Sequence, residues 1–331
     1  MSFIYGIGNA LVDLEFTVTE KKLQEIGIQK GVMSLIDKNQ FNHLLKQLPT
    51  PKNRECGGSA CNTLVGASQL GVPTSFSGRL AQDDNGHFYT QSLTKQHIKS
   101  KINLVKSSQT GSCIVLITPD ADRTLITYLG ESAHFSTKDI NETLLKESTW
   151  LYIEGYLTTT PNSLQAAMYA QRIARKHQKK IALTLSDPNV VNFCRDKFKT
   201  LLNQPIDLLF CNEQEALNYT ETKTINNALQ ELQRFSQQII ITCGANGALI
   251  YDGNKCHSIT APLVKAIDTN GAGDLFAGCV FAGLYYNKNI ITAAQWGCYA
   301  ASQLVTQFGP RANSNTLKKI NKFIQLKQNI H

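Results

Sequence analysis

The chain has little charge for its length. Only 18% of its 331 residues are Asp, Glu, Lys or Arg, against 42% hydrophobic. That balance excludes a wholly disordered chain and supplies core for one large α/β domain or two ordinary ones. No apolar run approaches the ~18–20 residues that a membrane helix needs. The opening MSFIYGIGNALVDLEF lacks a basic stretch and carries Asp13 and Glu15, so it does not read as a signal peptide. None of the nine cysteines forms a C-x-x-C pair, and Cys113, Cys211, Cys243 and Cys279 lie in apolar segments. They are expected to be free, small, buried residues of a reducing cytoplasm, with no zinc-site spacing. The patterns G-x-x-x-x-G-K-[ST], H-E-x-x-H and G-x-S-x-G are absent, which excludes a Walker-type kinase, a zincin and a nucleophile-elbow hydrolase. Gly6-Ile7-Gly8-Asn9-Ala10-Leu11 begins like a dinucleotide fingerprint, but Leu11 fills the third glycine's place and argues against a Rossmann oxidoreductase. Net charge is +8, yet the basic residues are scattered. Their densest group, Arg172, Arg175, Lys176, Lys179 and Lys180, closes an expected helix and complements its dipole. With no zinc-finger, RNP or basic-zipper pattern, neither nucleic acid nor membrane is an expected partner.

What is present is an alternation of strand-like and helix-like stretches. Strands are predicted at Phe3–Ile7, Thr74–Leu80, Trp150–Leu157, Lys180–Leu185, Ile206–Phe210 and Ile239–Thr242. Helices are predicted at Asn62–Leu70, near Gly86–His97 and at Asn162–His177, the last with Thr160 as N-cap and Pro161 at the first helical position. Three more helical stretches follow Gly271. This rhythm implies a mostly parallel sheet with helices on both faces. Two segments break it. Gly111–Thr118 and Arg123–Leu129 flank the turn Pro119-Asp120-Ala121-Asp122 and read as a hairpin, and Leu14–Val18 and Val32–Ile36 are further β-like pieces. These four are expected to form a small separate sheet, a lid built from about 14–37 and 108–130. With no repeats and no Pro/Ser-rich linker, residues 1–331 read as one domain with that lid appended.

The strongest chemical signal is Asp268-Thr269-Asn270-Gly271-Ala272-Gly273-Asp274 before LFAGCVFAGL. A predicted strand, Leu263–Ile267, feeds a turn of small residues that opens a helix. Gly-Ala-Gly lets a backbone approach a ligand closely, and its N–H groups at a helix start favour an anion. Asp274 is a poor phosphate binder by charge. It fits as the base that takes a proton from a hydroxyl attacking a phosphoryl group. An ordinary carboxylate at a helix N-terminus is the alternative.

At this string the chain resembles the ribokinase-like (PfkB) carbohydrate kinases, and further motifs follow in the family's order. Gly57-Gly58-Ser59-Ala60-Cys61-Asn62 is similar to its G-G-x-x-x-N, Asn212-Glu213-Gln214-Glu215 to its N-x-x-E, and Thr242 to Gly247 to its T-x-G-x-x-G. The resemblance implies a three-layer αβα fold with a mostly parallel central sheet and a small β-sheet lid. It implies ATP-dependent phosphorylation of a primary alcohol, with Asp274 as base and the amides of Gly271, Ala272 and Gly273 as anion hole. It gives Gly57, Gly58, Ser59, Asn62 and Asp13 to the substrate, and Thr242, Gly244 and Gly247 to ATP. Asn212 and Glu215 would organise Mg²⁺ through water, and Asp268, Asn270 and the Gly309-Pro310-Arg311 stretch would hold a monovalent cation such as K⁺. Arg123 would reach the site from the lid. Each shorter motif also has a plain structural reading. Gly57-Gly58 with Asn62 suits a turn and N-cap, Asn212 with Glu215 a capping box, Thr242 to Gly247 a hairpin turn, and Asp13 a surface position. The chain departs from the family at Cys279, where Gly is usual, and at Leu64, where a small residue is usual.

G-G-S-x-x-N and G-N-x-L-x-D look more like the family's adenosine kinases than its ribokinases. A nucleoside is therefore the expected substrate, a sugar such as ribose or fructose the alternative, and a non-catalytic sensor on the same fold a third. Phe16, Tyr128 and Phe135 are the expected wall for a nucleobase. A monomer, or a homodimer through the lid edge, is compatible with this reading.

Overall fold

The computed structural model describes residues 1–328 apart from positions 32, 103, 107 and 121. Val32 and Ala121, placed above in a β-piece and in the hairpin turn, lie outside the described residues. A nine-stranded sheet runs Cys256–Ile259, Ala248–Tyr251, Ser236–Thr242, Ile206–Asn212, Lys180–Thr184, Trp150–Glu154, Ile4–Ile7, Thr74–Ser77, Lys99–Ser100. The seven strands from Ser236–Thr242 onward are parallel, and the first two turn back antiparallel. Alternation along each strand divides the core. Trp150 and Tyr152 point to one helical layer, Leu151 and Ile153 to the other. The helix Pro161–Lys176 is capped by the Thr160 hydroxyl, as its sequence predicts.

The helix Ser59–Gln69 packs on the helix Ala272–Tyr285 at very close range. A methyl group at Gly278 would lie 2.6 Å from the Thr63 carbonyl oxygen, so only glycine fits the crossing. Cys279 and Leu64 are both fully buried beside it and belong to the core. Through this crossing the Gly57-Gly58 turn and the Gly271-Ala272-Gly273 turn come to adjacent edges of one cleft.

A second sheet has five strands, in the order Met33–Leu35, Arg123–Gly130, Thr110–Ile117, Leu11–Thr17, Asn53–Gly57. The hairpin is antiparallel, with Leu125 opposite Val115. The edge strand Asn53–Gly57 escapes the sequence pattern because Asn53, Arg54 and Glu55 give it no apolar alternation. Period-two alternation again sets the faces. Phe16, Ile114, Leu116 and Ile126 point outward under two short helices, Glu20–Glu25 and Lys38–Leu45, which supply Leu23, Phe41 and Leu44. Asp13, Cys113, Leu125 and Thr127 point inward to the cleft.

Residues 263–267, expected as a strand, are irregular. The Ile267 and Asp268 N–H groups donate to the Val305 carbonyl at the end of a helix, not to a strand. Leu263, 93% exposed, and Val264 border a cavity of about 290 Å³ together with Ala261, Phe276 and Val305.

Candidate active site

The larger cleft, about 450 Å³, lies between the carboxyl ends of the parallel strands and the inward face of the second sheet. Asp13, Gly58, Ser59, Asn62, Arg123, Asn212, Glu215, Thr242 and residues 269–274 all line it. Gly244 and Gly247 line the adjoining 290 Å³ cavity, which shares Thr242, Ala272 and Gly273 with the first. The two hollows therefore meet at the Gly-Ala-Gly turn.

Gly271 takes φ +70° and caps the helix Ala272–Tyr285. A side chain there would strike the Pro310 carbonyl oxygen at 2.3 Å. The Ala272 N–H donates to Thr269 at 3.3 Å, while the N–H groups of Gly271 and Gly273 have no protein acceptor among the described residues. They remain available to an anion, at the positive end of the helix dipole.

Asp274, in the first turn, is only lightly engaged. Ser59 Oγ donates to its Oδ1 at 2.6 Å and Asn62 Nδ2 to its Oδ2 at 3.2 Å. A carboxylate offers about four acceptor positions, so about two remain open. Burial pushes its pKa up to about 6, while the Ser59 and Asn62 hydrogen bonds and the Arg311 charge pull the other way. Asn62 is thus inside a helix whose N-cap is Gly58, at φ +91°; it is not itself the cap. Gly58 lies against the Asn9 carbonyl, which an added methyl would meet at 2.1 Å.

Asp13 is buried in a strand of the second sheet, not on the surface, and burial with Glu15 nearby pushes its carboxyl up to about 7. Asn212 and Glu215 form a reciprocal capping box, with Glu215 N–H on Asn212 Oδ1 at 2.8 Å and Asn212 N–H on Glu215 Oε2 at 3.0 Å. They also line the cleft. Burial raises Glu215 to about 8, with Asp187 and Asp274 adding like-charge repulsion. Among the described residues no cluster of three His, Cys, Asp or Glu could grip a bare metal ion. Spread carboxylates facing one space fit instead a hydrated Mg²⁺ reached through water.

Asp268 is different. It is fully buried, and both its oxygens are clasped by the Arg123 guanidinium. Asn270 N–H donates to Oδ1 at 2.9 Å and Gly309 N–H to Oδ2 at 2.7 Å. All four acceptor positions are filled by N–H donors, so these residues do not fit a monovalent cation. Arg123 faces the cleft from the second sheet, but its charge is spent on Asp268.

The expected aromatic wall is also corrected. Phe16 and Tyr128 pack with Phe41 on the outer face, and Phe135 lies in the core beneath the large sheet. The second sheet instead offers the cleft aliphatic side chains: Leu11, Met33, Leu35, Leu125 and Leu129.

Two further residues are built into the site: Glu154, which lies outside every motif, and Arg311, whose stretch was expected to help hold a cation. Glu154 ends an apolar strand and accepts from Asn9 N–H at 3.1 Å and Ala60 N–H at 2.8 Å, joining both polar turns of the cleft. Its position at the carboxyl end of a parallel strand was the signal available. Arg311 donates to Asn62 Oδ1 at 3.3 Å and to the Cys56 carbonyl, so it braces the residue that braces Asp274. It is a brace for Asn62 and not part of a cation site, and no sequence spacing marks that role.

A family model described as pfkB family carbohydrate kinase matches residues 35–317. Adenosine kinase 2 of Arabidopsis thaliana is 25% identical over 92% of this chain and 94% of its own length. Among solved structures, the adenosine kinase of Sinorhizobium meliloti superimposes with a TM-score of 0.92 at 29% identity, covering 97% of this chain and 99% of its own. A probable sugar kinase of Rhizobium etli does so with the same score at 28% identity, covering 97% and 98%.

Proposed function

The chain belongs to the pfkB family of carbohydrate kinases and transfers phosphate to an alcohol group, and from that premise we propose that it phosphorylates the 5′-hydroxyl of a nucleoside, adenosine or a close analogue, using ATP. One observation carries the chemistry. A carboxylate with open acceptor positions stands beside unpaired main-chain amides at a helix start. The substrate hydroxyl gives its proton to Asp274. Its oxygen attacks the terminal phosphorus as the bond to the ADP oxygen breaks, and the Gly271 and Gly273 amides receive the charge on the transferring group. A pKa near 6 leaves Asp274 largely ionised at neutral pH yet basic enough to accept. Mg²⁺, when bound, neutralises phosphate charge, and Asn212 and Glu215 would hold its water shell.

Asp13, Asn62 and the Gly57-Gly58 turn suit adjacent sugar hydroxyls, since a carboxylate accepts from two at once. The aliphatic wall of the second sheet favours a nucleoside. A free sugar has no apolar plane to lay against Leu35, Leu125 and Leu129, whereas a base does. In this reading the second sheet is a lid whose closure excludes water that would otherwise hydrolyse ATP. The likeness to the Rhizobium etli sugar kinase favours a second reading, a furanose sugar at the same site. Coupled detection of ADP over a panel of nucleosides and sugars, with Mg²⁺ varied, separates them. Nucleosides should turn over with the highest kcat/KM; a clear preference for ribose or fructose would reverse the substrate assignment.

A further inference from the structure

The Arg123–Asp268 pair lies beside the anion-hole turn, and its geometry shows what neutralises the buried Asp268 carboxylate. Asp268 has no solvent exposure, and the Arg123 side chain is 7% exposed. A buried carboxylate needs a compensating charge. In a site built for an alkali cation, that charge comes from an ion held by carbonyl and carboxylate oxygens with free lone pairs. Here the lone pairs are used up. Oδ1 accepts from Arg123 Nε and Asn270 N–H, and Oδ2 from Arg123 Nη2 and Gly309 N–H. Glu15, whose Oε1 is 3.8 Å from Arg123 Nη1, holds the guanidinium from its far side.

We propose that the Arg123 guanidinium takes the place of a monovalent cation at Asp268, so that this kinase works without K⁺. The positive charge is tethered to the second sheet, at the first residue of the Arg123–Gly130 strand. The Asp268 carboxylate beside the Gly-Ala-Gly turn is therefore neutralised by the chain itself, whatever ions are in solution. The inference concerns Asp268 and stands on this geometry whichever alcohol is the substrate.

Two measurements on the intact protein test it, and the first needs no substrate. Thermal unfolding is compared in KCl, NaCl and choline chloride at equal ionic strength. The midpoint should be the same in all three; a rise specific to K⁺ would overturn the proposal. Turnover is then compared in the same salts. A change below about twofold is expected, whereas K⁺ activation of about fivefold or more, in the range of a true effector, would contradict it. Arg123→Ala supplies a further arm. Its loss of turnover should be partly restored by guanidinium ion at low concentration and not by K⁺. Rescue by K⁺ alone would mean that the site takes an alkali cation and that the arginine is incidental. If Arg123→Ala does not fold, the wild-type salt comparisons still decide the matter.

Discussion

Asp268 and Asp274 stand six residues apart in one motif and do opposite work, and the difference is countable in hydrogen bonds. Asp268 has every acceptor position filled and serves structure; Asp274 keeps about two open and faces the cleft. The role proposed for Asp274 came from the whole string Asp268 to Asp274, since a carboxylate after Gly-Ala-Gly alone reads as well as an ordinary helix-start residue. The partner of Asp268 was not, since Arg123 is 145 residues away and no local pattern links them. Glu154, and the bracing of Asn62 by Arg311, were hidden for the same reason. The proposed role of Asp274 sets a pH dependence. Its carboxyl must be ionised to accept a proton, and burial has raised it to about 6. The value of kcat/KM should therefore fall as pH drops through about 6, and because Asp13, raised to about 7, must also be ionised to accept two hydroxyls, the fall should steepen toward two protons at low pH and level off only above about pH 8. In Ser59→Ala, losing a hydrogen bond that favours the ionised form, this acid limb should move to higher pH. A profile flat from about pH 5 to 8 in the wild type would remove Asp274 from the proton transfer.

Elements whose apolar residues repeat were readable, and those without a pattern were not. The Thr160-Pro161 start fixed a helix, and the hairpin around Pro119 to Asp122 fixed two antiparallel strands. The strand Asn53–Gly57 is a polar edge, and the helices Glu20–Glu25 and Lys38–Leu45 are too short to show a repeat. Residues 263–267 misled because their apolar residues look like a strand, whereas Leu263 and Ile267 are exposed and the segment bonds to the end of a helix instead of to a sheet. The Gly57-Gly58 turn is where one element most constrains the site. Gly58 has φ +91°, and any Cβ would lie 2.1 Å from the Asn9 carbonyl oxygen. Gly58→Ala should lower stability by about 2 kcal/mol or more, from backbone strain and the close approach together. It should also raise KM for the alcohol, because Ser59 and Asn62 start the helix that follows. Thermal unfolding with steady-state kinetics reads both; a variant as stable as wild type would show that the turn can relax.

At the scale of the whole molecule, the fold is ribokinase-like, a three-layer αβα body carrying a second sheet across its cleft. That architecture was legible from the β-α rhythm and the motif order. What was not legible was the chemistry of the second sheet's inner face, because its side chains depend on register and on which face the helices Glu20–Glu25 and Lys38–Leu45 cover. The same covering buries the apolar outer face, leaving Phe16 and Leu116 packed within the chain. The site draws on Asp13 near one end of the chain, Glu154 in its middle and Asp274 near the other end, so no fragment holds it. Its central claim is that the molecule brings an alcohol and a nucleotide together across Asp274. The most direct test is Asp274→Asn, assayed for phosphoryl transfer at saturating ATP and adenosine while ATP affinity is measured by calorimetry. The account predicts a fall in kcat of ~10²–10⁴-fold with ATP binding nearly unchanged; turnover close to wild type would contradict it.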